Sequence, residues 1–121
     1  MIKQGAIIWL DLDPQTGKEQ KGRRPCIIVS NRDFHELTSH KLLMVCPITN
    51  KDKGFILDVQ LDERTKTTGV VMTAQTKILD VEARNYKFIE LVPEDILDEI
   101  LEFVGGISRK DDSDDEKQKR E

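Results

Sequence analysis

Arg24, held next to Pro25, and Thr49, at the end of an apolar run, are the residues of this 121-residue chain whose types could do chemistry together. A guanidinium offers forked donors that match two phosphate oxygens, and it stays charged at any working pH. A threonine hydroxyl can donate a further hydrogen bond to the same group. Basic residues flank both positions. Lys18, Lys21, Arg23 and Arg24 crowd one seven-residue stretch offset only by Glu19, and Lys51 and Lys53 follow Thr49. Such a set suits the binding of a phosphodiester and the stabilisation of charge on it. Cys26, Cys46, His35 and His40 lack zinc-ligand spacing, and no carboxylate cluster has the character of a metal site. No metal or cofactor is expected. Both cysteines sit inside apolar runs and read as buried, reduced thiols.

Strands must bring these residues together. Residues 5–12 (GAIIWLDL), 24–30 (RPCIIVS) and 41–49 (KLLMVCPIT) carry β-branched and apolar runs that read as strands. Residues 13–23 and 50–54 are polar loops, and residues 31–40 are mixed, with one helical turn around Phe34 and Leu37. Residues 55–61, 69–73 and 86–92 complete the expected strands, with 76–84 less defined between the last two. Pro93 opens a helix at its first position, followed by an apolar stripe at 96, 97, 100, 101, 104 and 107, and Gly105 and Gly106 weaken its end. The runs 26–29 and 42–46 are apolar at every position, so each needs cover on both faces, from the helix or from a second subunit. If strands 24–30 and 41–49 pair antiparallel with Arg24 opposite Thr49, Ser30 falls opposite Leu43. Both basic loops then meet at one end of the sheet. The expected architecture is mainly β, a small barrel or roll with a C-terminal helix.

Charge is unevenly spread. The net charge is −4, yet residues 93–107 carry five acids and no base, and residues 108–121 carry six acids against five bases. Residues 1–92 are therefore net +2, which leaves room for a local basic site. Residues 108–121 contain no apolar side chain and read as a disordered, charged tail after a folded domain at 1–107. The N-terminus lacks the long apolar segment of a signal peptide, and no apolar run approaches the ~18 residues of a membrane span, so a cytoplasmic protein is expected. On residues alone, a basic glycine loop is more often a solvated turn, and a threonine at a strand end a turn residue. Trp9 is more often core than a base-stacking platform. Composition and spacing reach a small β-domain with a basic rim.

The spacing Gly17-x-Glu19-Gln20-x-Gly22-x-Arg24-Pro25, after Ile8-Trp9-Leu10 and Asp13-Pro14, resembles the opening signature of the MazF/PemK toxins. Pro47-Ile48-Thr49, Lys66-Thr67-Thr68-Gly69-Val70-Val71, Gln75, Lys77, Ala83-Arg84 and Val92-Pro93-Glu94 extend the match over roughly residues 4–107. The resemblance implies an SH3-like barrel of the CcdB/MazF kind, a homodimer, and a toxin that cuts single-stranded RNA without metal. It also implies a cognate antitoxin that blocks the site. By position it makes Arg24 and Thr49 the catalytic pair, and Glu19 a supporting residue or proton acceptor. The expected RNA contacts are Lys18, Gln20, Lys21, Arg23, Asn50, Lys51, Lys53 and Gln75.

The chain departs from the pattern in places. A PemK-like branch uses an arginine and an aspartate where this sequence has Met72 and Ala74. Histidines that other branches place near the motif are here Lys18 and Arg23. The expected chemistry therefore rests on Arg24 and Thr49, with the RNA 2′-OH as nucleophile giving a 2′,3′-cyclic phosphate and a 5′-OH. Two rival readings keep a similar fold: a gyrase-poisoning toxin, and a non-catalytic RNA-binding module.

Overall fold

The computed structural model describes residues 2–12 and 22–112. The strands are β1 (Ala6–Leu12), β2 (Gly22–Ile28), β3 (Leu42–Thr49), β4 (Asp58–Gln60), β5 (Val70–Met72), β6 (Lys77–Asp80) and β7 (Lys87–Leu91). Two helices, α1 (Arg32–Leu37) and α2 (Glu94–Ile107), and a single 3-10 turn at Thr73–Gln75 complete the described residues. The strands form one antiparallel sheet in the order β4-β5-β3-β2-β1-β7, and β6 lies against the first half of β3. The sheet rolls without a ladder joining β4 to β7. This is the mainly β architecture with a terminal helix that the strand spacing predicts.

One chain covers both faces of the run 26–29 and most of the run 42–46. Ile27, Val29, Cys46 and Ile48 project to one side and pack with Ile7, Val71, Val92, Ile96 and Ile100 beneath α2. Cys26, Ile28, Leu43 and Val45 project to the other side and meet Ala6, Ile8, Leu10, Leu79 and Val81. The run 26–29 is buried throughout within one chain, whereas Leu42 and Met44 of the second run stay half-buried. Alternation along the strands sorts these side chains, so a shift of one residue would exchange the two cores.

Helix α2 begins at Glu94, with Pro93 as its extended cap and the Pro93 carbonyl accepting the Leu97 N–H at 3.0 Å. Ile96 and Ile100 are buried, and Leu97, Leu101 and Val104 pack alongside them. The helix runs through Gly105 and Gly106 to Ile107, whose side chain is exposed. Its early Glu94 and Asp95 suit the positive end of the helix dipole. Between β2 and β3, Asn31 caps α1 by accepting the Phe34 N–H at 2.9 Å.

Three expectations are corrected. The fourth strand is Asp58–Gln60 and not 55–61, because the Asp58 N–H bonds to the Phe55 carbonyl at 3.0 Å and closes a turn. Phe55 and Ile56 are left exposed. Trp9 is 38% exposed, since the α2 core covers Ile7 on its face of β1 and does not extend to it. The less defined stretch 76–84 contains a strand, β6.

Candidate active site

Strands β2 and β3 pair Cys26 with Pro47, Ile27 with Cys46 and Ile28 with Val45. Carried two residues further, that register puts Arg24 opposite Thr49, the pairing supposed from the sequence. Both belong to the face of Cys26 and Pro47. Arg24 is also paired with Leu10 of β1, and the Arg24–Pro25 segment stays extended at the rim.

Thr49 is buried, and its Oγ1 accepts the Lys51 N–H at 3.1 Å. The lone pair engaged there leaves the hydroxyl proton available to donate elsewhere. Gly69 sets the position of Thr49 from the other side. Its φ is +112°, and a Cβ at that residue would lie 2.3 Å from the Thr49 carbonyl oxygen. Only glycine lets β5 pair Val70 with Thr49 at this approach. The neighbouring Asn50 is held by Thr68, whose hydroxyl donates to Asn50 Oδ1 at 2.9 Å. The loop before Gly69 is tied down by Glu90, which accepts the Lys66 N–H (3.0 Å), the Thr67 N–H (2.8 Å) and the Thr67 hydroxyl (2.9 Å).

An open pocket of about 820 Å³ borders Thr49 and is lined also by Lys51, Lys53, Phe55, Ile56, Asp58, Met72, Ala74 and Gln75. It gathers three of the expected RNA contacts, Lys51, Lys53 and Gln75, beside Thr49. Asn50 instead lines a second hollow with Trp9, Pro25, Lys66, Thr67 and Thr68. Arg23 points away from Arg24. Its guanidinium bonds Asp11 at 2.9 Å and lies 5.9 Å from the Trp9 ring centroid, on the opposite face of β2. Asn85 and then Arg23 hold the Asp11 carboxyl below its ordinary value. Lys18, Glu19, Gln20 and Lys21 lie outside the described residues, as does most of the charged tail.

Sequence reasoning passed over Phe55, Ile56 and Asp58 as pocket residues because it placed them in a strand. Burial, and then Asp52, push the Asp58 carboxyl up. Gly69 was legible only as part of a motif, and its close approach to Thr49 required the fold. The histidines stand apart from the rim: His35 Nε2 lies 2.7 Å from Ser30 Oγ, which accepts the Met44 N–H. Cys26 and Cys46 are free, buried thiols, pushed up by burial to about 12 and about 11. Such thiols are poor nucleophiles.

Over residues 3–105 the chain matches the family described as PemK-like, MazF-like toxin of type II toxin-antitoxin system. It is 39% identical to the endoribonuclease PemK of Escherichia coli, an alignment spanning 83% of this chain and 77% of that protein. Among solved structures it is similar to MazF from Deinococcus radiodurans, with a TM-score of 0.79, 31% identity, and coverage of 88% of this chain and 94% of that one. A MazE–MazF structure from the same organism matches at a TM-score of 0.74, 31% identity and the same coverage.

Proposed function

Because the chain belongs to the PemK-like, MazF-like toxins of type II toxin–antitoxin systems, we propose that it is a metal-independent endoribonuclease acting on single-stranded RNA, with Arg24 and Thr49 as its catalytic pair. The observation that carries this reading is the shared rim of β2 and β3, where Arg24 stands in register with Thr49 and the Thr49 proton is free to donate. The RNA supplies the nucleophile. Its 2′-oxygen attacks the adjacent phosphorus in line, the P–O5′ bond breaks, and the products are a 2′,3′-cyclic phosphate and a 5′-OH. The proton of the 2′-OH leaves to a base, and the departing O5′ takes up a proton.

As charge builds on the phosphoryl oxygens, the Arg24 guanidinium and the Thr49 hydroxyl donate to them. One such preorganised donor is worth about 10²–10³-fold in rate. Arginine itself is a poor base, with a reference pKa above ~12. Glu19 is the proposed acceptor of the 2′-OH proton. Lys51, Lys53 and Gln75 would hold flanking nucleotides in the pocket beside Thr49, with Asn50, Arg23, Lys18, Gln20 and Lys21 as further RNA contacts. Met72 and Ala74 can neither donate to phosphate nor move a proton, so they take no part in the chemistry.

The proposed working form is a cytoplasmic homodimer, silenced by a cognate antitoxin that covers the rim. No described helix is long and apolar enough to cross a membrane. A strand that lacks the 2′-OH lacks the nucleophile, so an all-deoxy version of a cleaved RNA is expected to remain intact under the same conditions. Cleavage of that deoxy strand would reject this mechanism, and gel analysis of end-labelled strands reads the result directly.

A further inference from the structure

Among the described residues, two buried side-chain nitrogens have no hydrogen-bond partner: Nε of Arg24 and Nζ of Lys77. Both belong to cations, and both belong to one face of the sheet. Strand β3 explains why. Val45 pairs with Ile28 of β2 on one side and with Lys77 of β6 on the other, and two residues along β3, Pro47 pairs with Cys26. By alternation, Arg24, Cys26, Lys77 and Thr49 share a face. Burial pushes the Cys26 thiol up, and the charges of Lys77 and then Arg24 oppose that shift.

The neighbours of Lys77 on this face, Leu43, Val45 and Leu79, are all buried apolar residues. A leucine or methionine would fit such a surrounding better, because a buried charge with no partner disfavours the fold. An arrangement of this kind is consistent with a charge kept for an anion that arrives later. Phosphate oxygens would supply the acceptors that both nitrogens lack once the two side chains extend to meet them, since neither nitrogen is accessible as the side chains stand.

We propose that Lys77 is the second cation of the phosphate site, forming with Arg24, from opposite sides of β3, a two-cation floor that an RNA phosphodiester neutralises. This rests on the reading of the Arg24–Thr49 rim as a phosphodiester site. Lys77 thereby joins Arg24 in binding the ground-state phosphate, while the fork of Arg24 and the hydroxyl of Thr49 supply the directed hydrogen bonds.

The test compares the full-length wild type with Lys77→Met and Lys77→Arg. Three quantities are measured: melting temperature with and without inorganic phosphate, cleavage of a long single-stranded RNA, and the salt dependence of binding to a 2′-O-methylated RNA. Lys77→Met keeps the shape and removes the charge. It is expected to melt at or above the wild type, to lose the phosphate-induced rise in melting temperature, and to cleave about 10-fold or more slowly. Its binding should show a salt slope shallower by about 0.7, the loss of one phosphate contact on a single strand. Lys77→Arg should restore most of the phosphate response. Lys77→Met that retains the wild-type phosphate response overturns the proposal. So does Lys77→Met that melts well below the wild type without recovery in Lys77→Arg, since the amine would then be a structural partner. If the wild type cuts no RNA yet loses its phosphate response in Lys77→Met, the anion site stands and the ribonuclease reading falls.

Discussion

Thr49 combines burial with an unspent proton. Its oxygen accepts the Lys51 N–H, and its hydroxyl hydrogen has no acceptor among the described residues. Thr49→Val keeps the branched shape and removes both functions. The lost hydrogen bond to a backbone amide costs about 1–3 kcal/mol of stability, whereas loss of a directed donor to the phosphoryl oxygen should slow cleavage about 10²-fold. Initial rates on saturating RNA, at a temperature where the variant is fully folded, separate the two effects. Equal rates would remove Thr49 from the chemistry. Glu90 offers a second test at this scale. Burial pushes its carboxyl up, but the Thr67 and Lys66 N–H groups and the Thr67 hydroxyl outweigh that and hold it below its ordinary value. A carboxyl that ionises more readily folded than unfolded stabilises the fold above the ordinary carboxylate range, and the gain is lost as pH falls through the folded value. Glu90→Gln should therefore lower the melting temperature at pH 7, with the gap to the wild type closing below about pH 4. A gap that stays constant with pH would show that shape, not charge, is what Glu90 contributes.

Elements place these groups, and the tightest placement is β5 against the end of β3. The approach of Gly69 to the Thr49 carbonyl leaves no room for a methyl group. Gly69→Ala should cost well over 1 kcal/mol, since both the positive φ and the clash with backbone must be relieved. It should also slow cleavage in protein that is still folded, because the relief moves Thr49. Urea titration with parallel activity assays checks both, and a stable Gly69→Ala of normal activity would show that β5 does not position Thr49. Much at this scale was legible in the chain. The two apolar runs, 26–29 after Arg24-Pro25 and 42–46 before Pro47-Ile48-Thr49, mark a buried strand pair, and the observed register, carried two residues on, sets Arg24 opposite Thr49. The terminal helix was readable from its stripe, down to the buried Ile96 and Ile100. What failed was local pattern without tertiary cover. Alternation at 55–61 does not reveal that Phe55 and Ile56 ride a turn at the lip of a pocket. Trp9 looks like core until the reach of α2 is known. Lys77 is an ordinary lysine in a less defined stretch until β6 is set against β3.

At the scale of the molecule, α2 and its five acids cover one face of the sheet, while Arg24, Thr49 and Lys77 belong to the other. An acidic chain of net charge −4 can thus present a cationic rim to a polyanion, because its negative charge is segregated onto the helix and the terminal residues. The same rim suits a proposed antitoxin whose acidic segment competes with RNA for the same cations. The central claim is that this rim cuts RNA with arginine and threonine as its working groups. Its most direct test is to incubate the purified protein, in EDTA, with a long single-stranded RNA beside the Arg24→Ala variant, mapping the new 5′ ends and assaying for cyclic phosphate. Discrete cuts at a shared short sequence, ending in 2′,3′-cyclic phosphate and abolished in Arg24→Ala, are the predicted result. RNA left intact by a well-folded wild type, or cut equally by Arg24→Ala, would contradict the claim.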